Sequence, residues 1–207
     1  MRALSVRACV PGGHGAPSTR RSQVADSEVQ LDTIVSALSG RVMELILDMN
    51  GNHVIQRCLA SLSHERSSFV YEAVRTECVR VSTHRHGCCV LQRSLDHAPE
   101  AQREPIIASV VTNARKLVLD PFGNYVVQYV LDLRRPELTR GIGQALQGSF
   151  AELSLQKFSS NVIEKCLQAG DTLLIGIVTR EVCSAKALGQ LLHDPFANYV
   201  VQVRGTH

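Results

Sequence analysis

Single apolar positions return along this chain at a fixed interval. Ile34, Val70, Ile106 and Ile142 form one series, and Leu38, Val74, Val110 and Leu146 follow each of them four residues later. A third series runs Leu45, Val81, Leu117, Leu153 and Leu191, and a fourth Leu59, Leu95, Leu131 and Leu167. The first two series are i, i+4 neighbours, the spacing of one helix face, and no strand-like alternation competes with it. Polar positions keep the same beat. Asn52, Cys88, Asn124, Ser160 and Asn198 are separated by 36, 36, 36 and 38 residues. A fixed period in this range means a solenoid, because each unit can bury its apolar face only against its neighbours. The pattern therefore predicts an all-α, right-handed superhelical solenoid. Each unit should hold a helix of about a dozen residues, a short turn and a second helix. The boundaries fall near 28–76, 77–112, 113–148, 149–186 and 187–207, with the fifth unit cut short.

The second helix of each unit carries a nonamer: "MNGNHVIQR" at 49–57, "RHGCCVLQR" at 85–93, "PFGNYVVQY" at 121–129, "KFSSNVIEK" at 157–165 and "PFANYVVQV" at 195–203. Residues six and seven are always apolar, from Val54–Ile55 to Val200–Val201, and should form its buried side. Residues four and eight are i, i+4, so they share a face, and residue five stands beside them. These sets are Asn52/His53/Gln56, Cys88/Cys89/Gln92, Asn124/Tyr125/Gln128, Ser160/Asn161/Glu164 and Asn198/Tyr199/Gln202. Stacked in a solenoid they make a ladder whose rungs offer a hydrogen-bonding pair and, usually, a flat side chain. A flat side chain can stack on a base and a polar pair can address its edge, as in helical repeats that read single-stranded RNA one base per unit. The competing reading is a protein-binding scaffold of the armadillo or HEAT kind, whose groove is also polar. It does not account for the restriction to matched Asn/Gln, Cys/Gln and Ser/Glu pairs.

Charge narrows this picture. The whole chain has a formal net charge of +3. Residues 1–25 contribute +4 through Arg2, Arg7, Arg20 and Arg21 and hold no acid, so the remainder sums to −1. Any attraction for nucleic acid must then be local to one face. Arg57, Arg93, Lys157 and Lys165 flank the ladder and are candidates for phosphate contacts. Residues 1–27 read as a disordered leader; their Arg-rich, acid-free composition also resembles a transit peptide. The seven cysteines are an odd count without C-x-x-C spacing, which fits free thiols in a reducing compartment. No run of about 18 apolar residues suggests a membrane span.

With these motifs in hand, the chain resembles the Pumilio (PUF) family of RNA-binding repeat proteins over about residues 28–203. "HGCCVLQR", "GNYVVQ" and "SSNVIEK", in that order, carry the likeness. By order and type the five units resemble the C-terminal five of the usual eight or so. The resemblance implies a base code. Asn with Gln reads uracil (52/56, 124/128, 198/202), Ser160 with Glu164 reads guanine, and Cys88 with Gln92 reads adenine. The chemistry is compatible: an ionised Glu only accepts, and guanine presents adjacent N1–H and N2–H donors. The resemblance gives stacking to His53, Cys89, Tyr125, Asn161 and Tyr199. Cys89 stands where the family more often has Arg, so the adenine rung should be looser. RNA runs antiparallel to the protein in this family, which gives 5′-UGUAU-3′. The family's role further implies binding in mRNA 3′ untranslated regions, cytoplasmic post-transcriptional repression with deadenylation or translation-repression proteins as partners, a monomer, and no enzymatic activity or cofactor.

Other constellations are weaker. "THRHGCC" gathers His84, His86, Cys88 and Cys89, but consecutive helical cysteines diverge by about 100° and do not suit a zinc site. His84 aligns with Asp48, Asp120, Gln156 and Asp194, the register of a turn residue rather than a ligand. A Cys–His dyad lacks an orienting third group. The position of Leu59, Leu95, Leu131 and Leu167 falls on Gly205 in the fifth unit, whose helix is therefore expected to fray.

Overall fold

The computed structural model describes residues 28–169 and 171–202. The leader reading and Gly205 fall outside these residues. Among the described residues the chain forms fifteen helices in five groups of three. The first group is α1 (Glu28–Ser39), α2 (Val42–Leu47) and α3 (Gly51–Ser61), and the second is α4 (Ser68–Thr76), α5 (Cys78–Ser82) and α6 (Gly87–His97). The third is α7 (Glu100–Thr112), α8 (Ala114–Leu117) and α9 (Gly123–Asp132). Then come α10 (Pro136–Leu146), α11 (Phe150–Ser154) and α12 (Ser159–Gln168), and finally α13 (Thr172–Val182), α14 (Ala185–Leu191) and α15 (Ala197–Gln202). The all-α solenoid expected from the period is present. The unit itself differs from the expectation: where a turn was expected there is a short third helix. These segments span four to seven residues, too few for a 3.6-residue period to show in the sequence.

Packing follows the register. The nonamer helices α3, α6, α9, α12 and α15 lie side by side in that order, and α4, α7, α10 and α13 form a parallel row behind them. Val70, Ile106 and Ile142 are fully buried, as are Val74, Val110 and Leu146. Each such side chain contributes about 1.5–3 kcal/mol of transfer free energy. Ile34 is 40% exposed, since no helix precedes α1 among the described residues to cover it.

The same reason corrects the expectation for nonamer residue six. Val90, Val126, Val162 and Val200 are buried, but Val54 is 44% exposed. Residue six therefore faces the preceding unit, and residue seven the following side. Ile55, Leu91, Val127 and Ile163 are buried, while Val201 in the last helix is only half-buried.

Ion pairs stitch the outer row across units. Arg66 bonds to Glu28 and Asp32, Arg135 to Glu104, and Arg140 Nε to Asp171 Oδ2 at 2.8 Å. Asp171 also caps α13, accepting from Leu174 N at 3.0 Å.

The short helix presses against the start of the nonamer helix at residue three. A Cβ on Gly87 would lie 2.4 Å from the Val81 carbonyl oxygen, and one on Gly123 2.8 Å from that of Leu117. In the fourth unit Ser159 occupies this position, and its hydroxyl donates to the Leu153 carbonyl at 2.6 Å. The contact is tightest at Gly87, so Gly87→Ala is expected to cost about 1–3 kcal/mol as overpacking against backbone, and more than Gly123→Ala. Denaturant unfolding of the two variants checks the order; an equal cost at both positions contradicts it.

Candidate nucleic-acid interface

The rungs are assembled at the N-terminal turn of each nonamer helix. Asp48, Asp120 and Asp194 stand four residues before the rung asparagines. Their carboxylates gather the free N–H groups that open the helix. Asp120 Oδ1 accepts from Phe122 N and Gly123 N, both at 2.8 Å. Asp48 Oδ1 accepts from Asn50 N at 2.8 Å and Gly51 N at 2.7 Å, and Asp194 Oδ1 from Phe196 N at 2.8 Å and Ala197 N at 2.9 Å. These amides, Gly51 first, hold the Asp48 carboxyl below its ordinary pKa. In the second unit His84 takes the place: its Nδ1 accepts from His86 N at 3.3 Å and Gly87 N at 3.4 Å. The histidine is thus a turn residue, as its register indicated.

Behind these turns the rung side chains form short relays. Asn124 Nδ2 donates to the Asp120 carbonyl at 2.8 Å, and Gln128 Nε2 donates to Asn124 Oδ1 at 2.9 Å. Asn52 and Gln56 repeat the pattern at 2.9 and 2.9 Å, with a second bond from Asn52 Nδ2 to the Met49 carbonyl at 2.7 Å. Asn198 and Gln202 repeat it at 2.8 and 3.5 Å. In the fourth unit Ser160 Oγ donates to the Lys157 carbonyl at 3.4 Å, and Glu164 Oε1 accepts from Gln168 Nε2 at 2.9 Å. Cys88 Sγ reaches the Arg85 carbonyl at 3.6 Å, and Gln92 beside it is half-buried.

Exposure divides each rung into a floor and a platform. Residue four is buried in the first four units: Asn52, Cys88, Asn124 and Ser160 are all at most 6% exposed. Residue five projects. Tyr125 is 41% and Tyr199 50% exposed, His53 and Asn161 are exposed, and Cys89 is half-buried. The order of the nonamer helices places these sets in one row, so the rungs expected from the sequence are neighbours in space.

The four basic candidates divide. Arg57 is exposed and has no ion-pair partner among the described residues. Arg93 Nη1 lies 3.3 Å from Asp96 Oδ2, and Lys157 Nζ sits 5.5 Å from the Phe158 ring centroid. Lys165 Nζ binds Asp132 Oδ2 of the preceding unit at 2.6 Å. The Tyr129 hydroxyl, at the same nonamer position, donates to Asp96. Burial, and then that carboxylate, raise the Tyr129 pKa. Residue nine of the third and fourth units is therefore a cross-unit staple. The sequence carried the signal, since Tyr129 and Lys165 each stand 33 residues after the acid they meet. Among the described residues no three His, Cys, Asp or Glu side chains converge as a metal site would require.

An all-α solenoid with one polar ladder along its nonamer helices defines a class of repeat protein. Four segments, 41–74, 77–111, 113–142 and 149–182, match the Pumilio-family RNA binding repeat, and the chain belongs to that family. It is 42% identical over 190 residues to Pumilio homolog 12 of Arabidopsis thaliana, covering 91% of this chain and 32% of that protein. It is 44% identical over 173 residues to putative pumilio homolog 7, chloroplastic, of the same plant, covering 84% of this chain and 26% of the relative. Among solved structures, the Puf4 RNA binding domain bound to the HO endonuclease RNA 3′ UTR recognition sequence superposes with a TM-score of 0.79 at 38% identity. That match covers 86% of this chain and 56% of the solved one. The chain thus spans about a third or less of these curated relatives' length. Among the described residues no helix is long and apolar enough to cross a membrane.

Proposed function

We propose that this chain binds single-stranded RNA sequence-specifically, one base per unit, and reads 5′-UGUAU-like elements in mRNA 3′ untranslated regions. The observation that carries the reading is the row of five polar rungs, three of them Asn–Gln relays, with residue four buried in the first four units and an exposed residue five beside it in all but the Cys89 unit. Asn/Gln relays address uracil at the first, third and fifth bases. Ser160 and Glu164 address guanine at the second, and Cys88 and Gln92 adenine at the fourth. His53, Tyr125 and Tyr199, with Asn161 and Cys89, separate successive bases. The Puf4 domain, similar over most of this chain, is bound to a 3′ UTR recognition sequence. As a regulator the chain acts in the cytoplasm as a monomer, without catalysis or cofactor, and represses bound messages by recruiting deadenylation or translation-repression proteins. Titration with labelled 5′-UGUAU-3′ against a scrambled oligomer tests the reading. Equal affinities would leave only a protein-binding scaffold.

Arg57 and Lys165 separate in this reading. For single strands the slope of log K against log salt changes by about 0.7 per neutralised phosphate. Arg57→Ala is expected to lower the slope by that amount. Lys165→Ala should leave the slope unchanged and lower thermal stability by breaking the staple to Asp132. A salt titration that reverses the two results would return Lys165 to the phosphates.

A further inference from the structure

Resting on the RNA reading above, we infer that uracil is read by three residues rather than two: the turn aspartate is a positioning residue for the Asn–Gln pair. Within this one chain, the residue four before the rung varies with the rung. The three Asn/Gln units have Asp48, Asp120 and Asp194, whereas the Cys/Gln unit has His84 and the Ser/Glu unit Gln156. The side chain at residue four follows the same division. All three asparagines bond to the carbonyl four residues back, at 2.9, 2.8 and 2.8 Å. Ser160 and Cys88 reach the carbonyl three residues back, at 3.4 and 3.6 Å, a bond that Asn52 makes at 2.7 Å in addition to the one four residues back.

The consequence is a fixed polarity. A carbonyl oxygen only accepts, so the asparagine must turn its Nδ2 toward it. Its Oδ1 then faces the glutamine and accepts from Nε2, as at Asn124 and Gln128. Gln128 is left presenting Oε1 and its second Nε2–H to the base in one fixed order. Uracil, with an N3–H donor beside carbonyl acceptors, matches that order. Cytosine, with an N3 acceptor beside an N4–H donor, needs the reverse. An amide free to flip would serve both pyrimidines. The aspartate holds the relay because its carboxylate clamps two N–H groups of the turn whose carbonyl anchors it. In the Gln156 unit no such side-chain bond to the turn amides forms.

The test uses the full chain, with the oligomers 5′-UGUAU-3′, 5′-UGCAU-3′ and 5′-UAUAU-3′. The wild type should prefer the first over both others. Asp120→Ala should lower the uracil-over-cytosine ratio at the third base about fivefold, the share of one net hydrogen bond. Asp120→Asn, which keeps an acceptor oxygen for both turn amides, should restore the ratio. The guanine-over-adenine ratio at the second base should be the same in all three proteins, showing that the array is intact. In the converse direction, adding Gln156→Asp to the Ser160→Asn, Glu164→Gln pair should raise its uracil-over-cytosine ratio at the second base. An unchanged ratio in Asp120→Ala overturns the inference, as does an equal loss of affinity for all three oligomers. A wild type without base preference overturns the RNA reading itself.

Discussion

Ser160→Asn combined with Glu164→Gln is expected to move the base preference at the second RNA position from guanine to uracil. Glu164 is the only carboxylate among the five rung pairs, and guanine is the only base with two adjacent edge donors for it. Replacing it by an amide removes that charge-assisted match and offers a donor and an acceptor instead. A wrong base should cost about 1–3 kcal/mol, on the scale of a bidentate base contact, or roughly 5- to 150-fold in affinity. Titration with oligomers differing only at that base measures the change. A double variant that still prefers guanine would show that the units are assigned to the wrong bases. The switch should be incomplete between uracil and cytosine while Gln156 remains, because the new asparagine would lack the clamped turn of the other three units.

The solenoid was legible because one helix face repeated at a constant interval, and a repeat of that kind has few other ways to bury Val70, Ile106 and Ile142. The short helices were not legible. Segments such as "ARKL" in α8 are too brief for amphipathic periodicity, and they are held by their place between two longer helices. The sequence also could not say which apolar face meets which neighbour. Val54 and Val90 read alike, yet one is exposed and the other buried, because burial in a solenoid belongs to the pair of units.

The ladder was legible for a related reason: i and i+4 share a face in any helix, so the rung pairs needed no tertiary information. What escaped was the contact between units and the role of backbone. Lys165 reads as a free cation until Asp132 of the preceding helix is placed beside it. The anchoring of each asparagine on a carbonyl leaves no side-chain signature except the aspartate that clamps the turn. That aspartate was visible as an aligned column, but its link to the rung is geometric.

Phe150→Ala should have the largest effect on stability, and its consequences should be uneven along the array. Phe150 is among the largest fully buried side chains, in α11, which packs against α12, α13 and α14. In the second and third units the same register holds Cys78 and Ala114, both buried, so of these three units the fourth is the one spaced for a ring. Truncation leaves a cavity, with an expected cost of about 3–5 kcal/mol, a large share of the stability of a chain this size. In a solenoid such a loss falls on one unit and its interfaces. Glu181 concentrates it further, since its carboxylate accepts from Gly148 N at 2.8 Å and Phe150 N at 3.0 Å and ties α13 to the same turn. Amides of α11 to α14 should then exchange faster, while those of α4 to α9 keep most of their protection. RNA binding should divide in the same way. Discrimination at the second base, read on α12, should fall, and discrimination at the fourth, read on α6, should persist. A uniform rise in exchange from α4 to α14 would show that the units unfold as one, and that a fault in one rung reaches all of them.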